Sequence, residues 1–347
     1  MWSIEVNIAF IIDDWNDLTP NSNSGLRLIH ESVSRGYKTA IIYPQNLTIR
    51  DNVVHGFVKF IQPFDKIPSS FPTFHQKVVF KEQMLPLRGF DAIFVRKDPP
   101  IDNIMLNFLD SVSDDVLIMN SVEGMRKANN KLYTTSFGDI DGDFLPVTYV
   151  SKNKEYLKKV IAESKAEKMI LKPLNGFGGS GVIVLEKSAK SNTNSLLDFY
   201  IDNGAGKNYV ILQEYIEGAE NGDVRILLLN GEPIGAMKRV PANDEVRSNV
   251  HAGGKAEKYT LSKADLEICK KIKPHLIKDN LHFVGIDVIN GKLIEVNVLS
   301  PGGIVNINRL NKVKLQSKIL DFVKDHVEHR ESSIKKRISF KEIVRNS

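Results

Sequence analysis

The chain has 347 residues, 42% of them hydrophobic and 26% charged, with a formal net charge of +5 and one cysteine; that is length enough for two or three domains and a core that needs no covalent staple. No run approaches the roughly 18 apolar residues of a membrane span, and Glu5 and Asn7 interrupt the apolar N-terminus too early for a secretory signal, so neither a membrane nor an export route is expected and the expected location is the cytoplasm. The lone Cys269 excludes an internal disulfide and a thiolate zinc cluster, and the basic excess gathers in the last residues, Lys335-Lys336-Arg337 through Arg345, without the aromatic interleaving of a nucleic-acid surface.

Residues 4–12 form a strand-like apolar run ending in Asp13-Asp14. A polar loop, a helix over about 24–35 and a strand over 38–43 follow, which is the β-α-β opening of an open α/β sheet. Residues 44–88 are less regular, with a hairpin expected around Arg50-Asp51-Asn52. The sheet resumes at 91–95 and ends in Arg96-Lys97-Asp98-Pro99-Pro100, where two prolines stop the strand and leave a charged lip at its carboxyl end. A strand over 116–119 closes this domain near residue 122. A short helix is expected to open at Asn129-Asn130-Lys131-Leu132-Tyr133, then a strand over 145–150 and a helix over about 153–165.

Residues 169–185 then read as two antiparallel strands around a glycine-rich loop. Lys172 precedes Gly176, Gly178, Gly179 and Gly181, so backbone N–H groups can converge on an anion with a full positive charge beside them, as a nucleotide's phosphates require. The G-x-G-x-x-G match within it fails as a dinucleotide fingerprint, because Val182-Ile183-Val184-Leu185 reads as a strand where a helix is needed. The kinase alternative lacks its downstream H-R-D and D-F-G motifs.

A helix near 194–203 and a strand over 209–213 lead into Glu214-Tyr215-Ile216, and strands over 223–229 and 233–239 are joined by the Asn230-Gly231 turn. Residues 240–258 look too polar and glycine-containing for an element, and at that length they read as a lid. Ser262 caps a helix through about residue 278. Residues 283–298 form a hairpin whose register decides whether its acids meet. A three-residue loop, Ile289-Asn290-Gly291 with a G1 bulge, puts Asp287, Glu295 and Asn297 on one face, whereas a two-residue turn separates the carboxylates. We expect the first, which makes a hard-oxygen site for Mg²⁺ or Mn²⁺.

With these residues assembled, the chain resembles the ATP-grasp superfamily and, within it, the prokaryotic glutathione synthetases, from Asn7 to about Val323. Beyond the site residues, the stretches Arg96-Lys97-Asp98-Pro99-Pro100, Gly222-Asp223-Val224-Arg225, Arg239-Val240-Pro241, Arg247-Ser248-Asn249, Ala252-Gly253-Gly254 and Asn297-Val298-Leu299-Ser300-Pro301 carry it. The resemblance implies an ATP-grasp fold behind an N-terminal Rossmann-like α/β domain, with an N-terminal domain over 1–122, a central one over 123–213, a C-terminal one over 214–328 and a basic tail over 329–347. It implies ATP, two magnesium or manganese ions, γ-glutamylcysteine and glycine as small-molecule partners, and a homotetramer. Lys131 and Lys172 would hold phosphates together with the glycine loop, the backbone from Gln213 through Glu214, Tyr215 and Ile216 the adenine, and Asp223 the ribose. Asp287, Glu295 and Asn297 would bind metal, and Arg225, Arg239 and Arg247 would meet the transferring phosphate and the dipeptide carboxylate. Arg96, Asn249, Gly253, Gly254 and Ser300 would bind substrate, Ser300 on the acceptor side.

The implied chemistry is phosphorylation of a carboxylate followed by attack of an amine on the acylphosphate. It needs positioning and charge neutralisation but no protein nucleophile, which matches a chain with no Ser-His or Cys-His constellation. The sequence departs from the family pattern after Asn297, where Val-Leu-Ser-Pro is followed by Gly302-Gly303 in place of bulkier residues. A ligase with another acceptor or donor, and a nucleotide-binding protein without turnover, are the alternatives.

Overall fold

In the computed structural model, which describes residues 6–174, 181–188, 190–202, 207–241 and 254–345, the chain divides into two compact units. Met1–Arg126, Leu276–Val284 and Val298–Ser347 form the first, and Lys127–His275 with Gly285–Asn297 the second. Chain order begins with β1 (Asn7–Ile11), α1 (Ser24–Ser34), β2 (Lys38–Ile42), β3 (Leu47–Arg50), β4 (Val53–Ile61), α2 (Phe71–Lys77), β5 (Phe80–Pro86), β6 (Ala92–Val95), α3 (Asn103–Asp110), β7 (Leu117–Met119) and α4 (Val122–Ala128).

The sheet of the first unit runs β3-β4-β2-β1-β6-β7, with β5 added against β4. Its centre is parallel, β1 lying between β2 and β6 and β6 beside β7. Strands covered on both faces read as continuous apolar runs, and Ile8, Phe10, Ile11, Ile41 and Ile93 are accordingly buried. The β4 side is antiparallel. There the expected hairpin forms, with Asp51 and Asn52 both left-handed (φ 51° and 61°) between β3 and β4. The irregular reading of 44–88 is corrected by β5. It is an edge strand whose Lys81, Glu82 and Gln83 face solvent, so its sequence carries no apolar alternation.

The chain continues with β8 (Thr148–Ser151), α5 (Lys154–Glu163), β9 (Lys168–Pro173), β10 (Ile183–Glu186), α6 (Lys190–Ile201), β11 (Val210–Glu214), β12 (Asp223–Leu229), β13 (Glu232–Val240), β14 (Lys255–Lys258), α7 (Lys263–Lys278), β15 (Phe283–Ile289) and β16 (Lys292–Asn297), all in the second unit except the end of α7 and the first two residues of β15. The short helix expected to open at residues 129–133 forms as a 3-10 helix over Tyr133–Phe137. One sheet, β10-β9-β11-β8, is antiparallel throughout. Leu157 of α5 and Leu197 and Ile201 of α6 pack with Met169, Leu171, Leu185, Val210 and Leu212 to form its core. The other sheet runs β14-β13-β12-β15-β16. β14 corrects the reading of 240–258 as free of regular structure: Lys255–Lys258 pairs with β13, and its Lys-Ala-Glu-Lys sequence shows no strand signal because it is an exposed edge. Residues 242–253, the body of the expected lid, lie outside the described residues.

As its serine predicts, α7 opens with a capping box. Asp265 N donates to Ser262 Oγ at 3.2 Å while Ser262 N donates to Asp265 Oδ2 at 2.8 Å. The chain returns to the first unit in α8 (Ile304–Asn311) and α9 (Leu315–Arg345). Leu315, Ile319, Leu320 and Val323 bury the start of α9, and Arg35 at the end of α1 bonds Asp321 at 2.7 Å and Ser317 O at 2.9 Å. Beyond residue 328 the helix continues with Ile334, Ile338 and Phe340 exposed. Among the described residues no helix is long and apolar enough to cross a membrane.

Candidate active site

In the second unit, Lys172 comes from β9 and Gln213 from the neighbouring β11. Lys172 Nζ donates to Gln213 Oε1 at 2.8 Å, and Gln213 Nε2 donates to Thr148 Oγ1 of β8 at 2.7 Å. Three adjacent strands thus fix one buried ammonium. Burial pulls its pKa down to about 8, with Glu295 pulling it up and Lys131 adding to the lowering. Lys131, before the Tyr133–Phe137 turn, sits 3.6 Å from Glu295 Oε1. Lys131, Lys172 and Glu295 therefore feel one another although they are far apart in sequence. Gly176, Gly178 and Gly179 lie outside the described residues, while the β9 and β10 strands flanking them pair antiparallel, Leu171 opposite Ile183. Glu214 ends β11 with Oε2 accepting from Val147 N at 3.0 Å. Tyr215 and Ile216 follow it outside any strand, and the Tyr215 hydroxyl donates to Glu220 Oε2 at 3.0 Å.

The densest charge lies on β12, β13 and β15. Asp223 stands directly opposite Arg239, and Arg239 donates to it twice, Nε to Oδ1 and Nη2 to Oδ2, both at 2.6 Å. Arg225, two residues along the same face of β12, makes the same kind of fork to Asp287, Nε to Oδ1 at 2.5 Å and Nη2 to Oδ2 at 3.0 Å. Arg239 Nη2 also reaches Asp287 Oδ1 at 3.0 Å. All four side chains are buried, so the alternation of two acids and two bases is what permits the charge there. Burial alone would raise the Asp287 pKa, but Arg225 and Arg239 outweigh it and hold the carboxyl at about 2. Gly222 makes the close approach possible: at φ 96°, a Cβ there would stand 1.9 Å from Arg239 O.

The β15–β16 hairpin brings the three candidate metal ligands together by a device other than the expected one. Ile289 pairs with Lys292, so the turn is the two-residue Asn290-Gly291, both left-handed (φ 43° and 74°), and no three-residue loop forms. The offset comes instead from a bulge: Asp287 pairs with Glu295 but Val288 with Leu293, leaving Ile294 as the extra residue. Asp287 and Glu295 thereby face each other, and Asn297 Nδ2 donates to Asp287 Oδ2 at 3.2 Å. Two carboxylates and an amide are a hard-oxygen donor set. Four N–H contacts already occupy the Asp287 oxygens, so an ion gains Asp287 only by displacing some of them.

Arg96 and Ser300 belong to the first unit and are joined there: Ser300 Oγ donates to Arg96 O at 3.2 Å, and Arg96 Nη2 donates to Pro301 O at 3.2 Å. Ser300 is left-handed at φ 42°. Gly254 precedes β14, while Arg247, Asn249 and Gly253 lie outside the described residues. The sequence reading missed Thr148, which orients Gln213; a lone threonine in a short strand carries no signal for that role.

Comparison with known proteins closes the question of family. Residues 6–126 match the N-terminal domain of prokaryotic glutathione synthetase and residues 130–312 its ATP-grasp domain. The chain belongs to the prokaryotic glutathione synthetase family. It is 35% identical to a glutathione synthetase of Thermosynechococcus vestitus over 91% of this chain and 98% of that one, and 36% identical to one of Synechococcus elongatus over 89% and 95%. Among solved structures, the fold matches a D-cycloserine synthetase (TM-score 0.64, 14% identity, 92% of this chain and 99% of that one). It also matches a RimK-domain ATP-grasp protein of Sphaerobacter thermophilus (TM-score 0.60, 18% identity, 91% and 99%). The fold is ATP-grasp, and the protein is an ATP-dependent ligase of the glutathione synthetase type.

Proposed function

We propose that this ligase joins γ-glutamylcysteine to glycine at the expense of ATP, in the cytoplasm and as a homotetramer. The observation that carries the site assignment is the alternating Asp223, Arg239, Asp287, Arg225 array beside Glu295, Asn297, Lys131 and Lys172. In this reading Lys131 and Lys172 bind phosphates, aided by Gly176, Gly178 and Gly179. The chain from Gln213 through Glu214, Tyr215 and Ile216 takes the adenine, and Asp223 the ribose. Asp287, Glu295 and Asn297 hold two Mg²⁺ or Mn²⁺ ions, which when bound neutralise charge on the phosphates. Residues 123–213 and 214–328 then serve as the two nucleotide-holding domains.

Arg225, Arg239 and Arg247 orient the dipeptide carboxylate and the phosphoryl group moving onto it. That transfer forms the acylphosphate and releases ADP; the amine of glycine then attacks the acyl carbon and phosphate leaves. The side chains contribute position and fixed positive charge, the two effects phosphoryl transfer depends on. Arg96, Asn249, Gly253, Gly254 and Ser300 bind the peptide and the acceptor. The single cysteine, buried with its thiol pKa raised to about 12 by burial, supports a structural rather than nucleophilic role for sulfur.

The test is ADP release with ATP, Mg²⁺, γ-glutamylcysteine and glycine, each omitted in turn, with the product identified by mass. Glutathione formed only when all four are present is the expected result. A second reading, ligation to another amino acid, is favoured by Gly302-Gly303 beside the left-handed Ser300. ADP release with a different amino acid in place of glycine would establish it.

A further inference from the structure

Among the described residues, the buried side-chain nitrogen and oxygen atoms left without a hydrogen-bond partner are Ser24 Oγ, Arg27 Nη1, and Nε and Nη1 of Arg96. All belong to the first unit, and all lie on or against the first turn of α1. Ser24 and Arg27 are three residues apart on α1, hence neighbours on its surface. Arg96 packs on the same turn: a Cβ on Gly25 would stand 3.6 Å from Arg96 Cβ and 3.7 Å from its Nε. The residues are 5%, 7% and 8% exposed, so bulk water does not serve these atoms.

Leaving one buried donor unmet is unfavourable, and leaving two guanidiniums buried with no carboxylate in contact is more so, the charge of Asp98 reaching Arg96 only at a distance. Neither arginine is in an ion pair among the described residues, and burial pulls each pKa down to about 10. Both are nevertheless fixed in place. Arg27 stands over Phe71, its Cζ 3.2 Å from the ring centre, with Nη2 donating to Asn21 O at 3.2 Å. Arg96 is tied by Nη2 to Pro301 O, beside Ser300. The remaining N–H groups are thus preorganised donors around the positive end of α1, where Asn23 Oδ1 has already capped Leu26 N.

We propose that Ser24, Arg27 and Arg96 form a carboxylate-binding subsite on the first turn of α1, with the Ser24 hydroxyl and the free guanidinium N–H groups donating to a non-reacting carboxylate of a substrate. The inference rests on the ligase reading and extends it to two residues that reading does not use. Two substrates can supply the group: the acceptor amino acid, through its only carboxylate, or the donor peptide, through the α-carboxylate of its glutamyl end. Monodentate or forked recognition by a guanidinium suits either.

The experiment is calorimetric titration of glycine, γ-glutamylcysteine and the matching carboxamides into the whole protein and its Arg27→Met and Ser24→Ala variants, with melting temperatures alongside. Arg27→Met is expected to weaken one of the two carboxylate ligands about 10- to 100-fold, the loss of a charge-assisted hydrogen bond. The carboxamide of that same ligand should bind the wild type comparably weakly, and which ligand responds identifies the source. Because a buried unpaired charge is removed, the melting temperature should stay level or rise. Unchanged affinity for both ligands in Arg27→Met and Ser24→Ala overturns the subsite. So does a lower melting temperature with unchanged affinity, the signature of a packing role. Should the wild type bind neither substrate, the ligase reading is what fails. Acetate titrated against the Arg27 and Arg96 Nε–H resonances then tests the subsite by itself, and absence of a shift overturns it.

Discussion

Lys172 is a cation kept close to losing its charge. Burial brings its pKa to about 8, so near neutral pH it is protonated and it discharges as the pH rises through that value. If Lys172 binds phosphates as proposed, their charge favours the protonated form and raises the pKa in the complex. Nucleotide binding therefore takes up a proton between the free and bound pKa values, and affinity is full below about 8 and declines above it, by at most tenfold per pH unit. ATP titrations at pH 8.5 in two buffers of different ionisation enthalpy should reveal the uptake, and Lys172→Arg should flatten the profile. Glu295 contrasts with it. Its pairing with Lys131 spans 3.6 Å and its side chain is 30% exposed, so Glu295→Gln should change stability by less than about 1 kcal/mol. Turnover should nonetheless be lost while much of the ATP affinity survives; unchanged turnover would remove Glu295 from the metal set.

At the scale of elements, β12, β13 and β15 each supply part of one charge array, and no strand of them could bury its own charges alone. Asp287 is its hub. Asp287→Asn leaves two buried arginines facing the single carboxylate of Asp223, a loss of about 3–5 kcal/mol measurable by urea denaturation, far beyond the effect of Glu295→Gln. The carboxylate's depressed pKa adds an acid limit. Its folded value of about 2 lies below the 3.8 of a free aspartate, so its stabilisation is complete above 3.8 and disappears as the pH falls toward 2. That Asp287, Glu295 and Asn297 share a face could be read from their spacing and burial. Whether a wider turn or a bulge supplies the odd residue could not, because either shifts the register by one. The tight Asn290-Gly291 turn that formed is the favoured pairing of residues for two left-handed positions.

Across the whole molecule, the two units should respond differently to acid. In the first, burial draws the His282 pKa down to about 4, with His326 contributing, and the His326 pKa is lowered in turn by burial and the nearby Arg330 and His329. Both sit against Phe322. An unfolded histidine titrates near 6.5, so between 6.5 and 4 the unfolded chain binds more protons. Stability from His282 is present above 6.5 and is lost as the pH falls toward 4, by about 3 kcal/mol in all. Hydrogen exchange followed from pH 7 to 4.5 should show the first unit losing protection while the second keeps it, and His282→Leu should abolish the difference. The sequence alone determined the apolar strands at 7–11, 38–42 and 92–95, the helix over 24–34, the capped helix after Ser262 and the family, because periodicity, capping and contiguous motifs are local properties of a chain. Edge strands β5 and β14 escaped it, since strands with solvated side chains need no apolar pattern. Only the tertiary structure decided that Asp287 is shared by two arginines from different strands, that Thr148 orients the partner of Lys172, and that Ser24, Arg27 and Arg96 each keep a buried polar atom without a hydrogen-bond partner. Those facts depend on which distant residues burial brings within hydrogen-bonding distance, and no stretch of sequence carries that information.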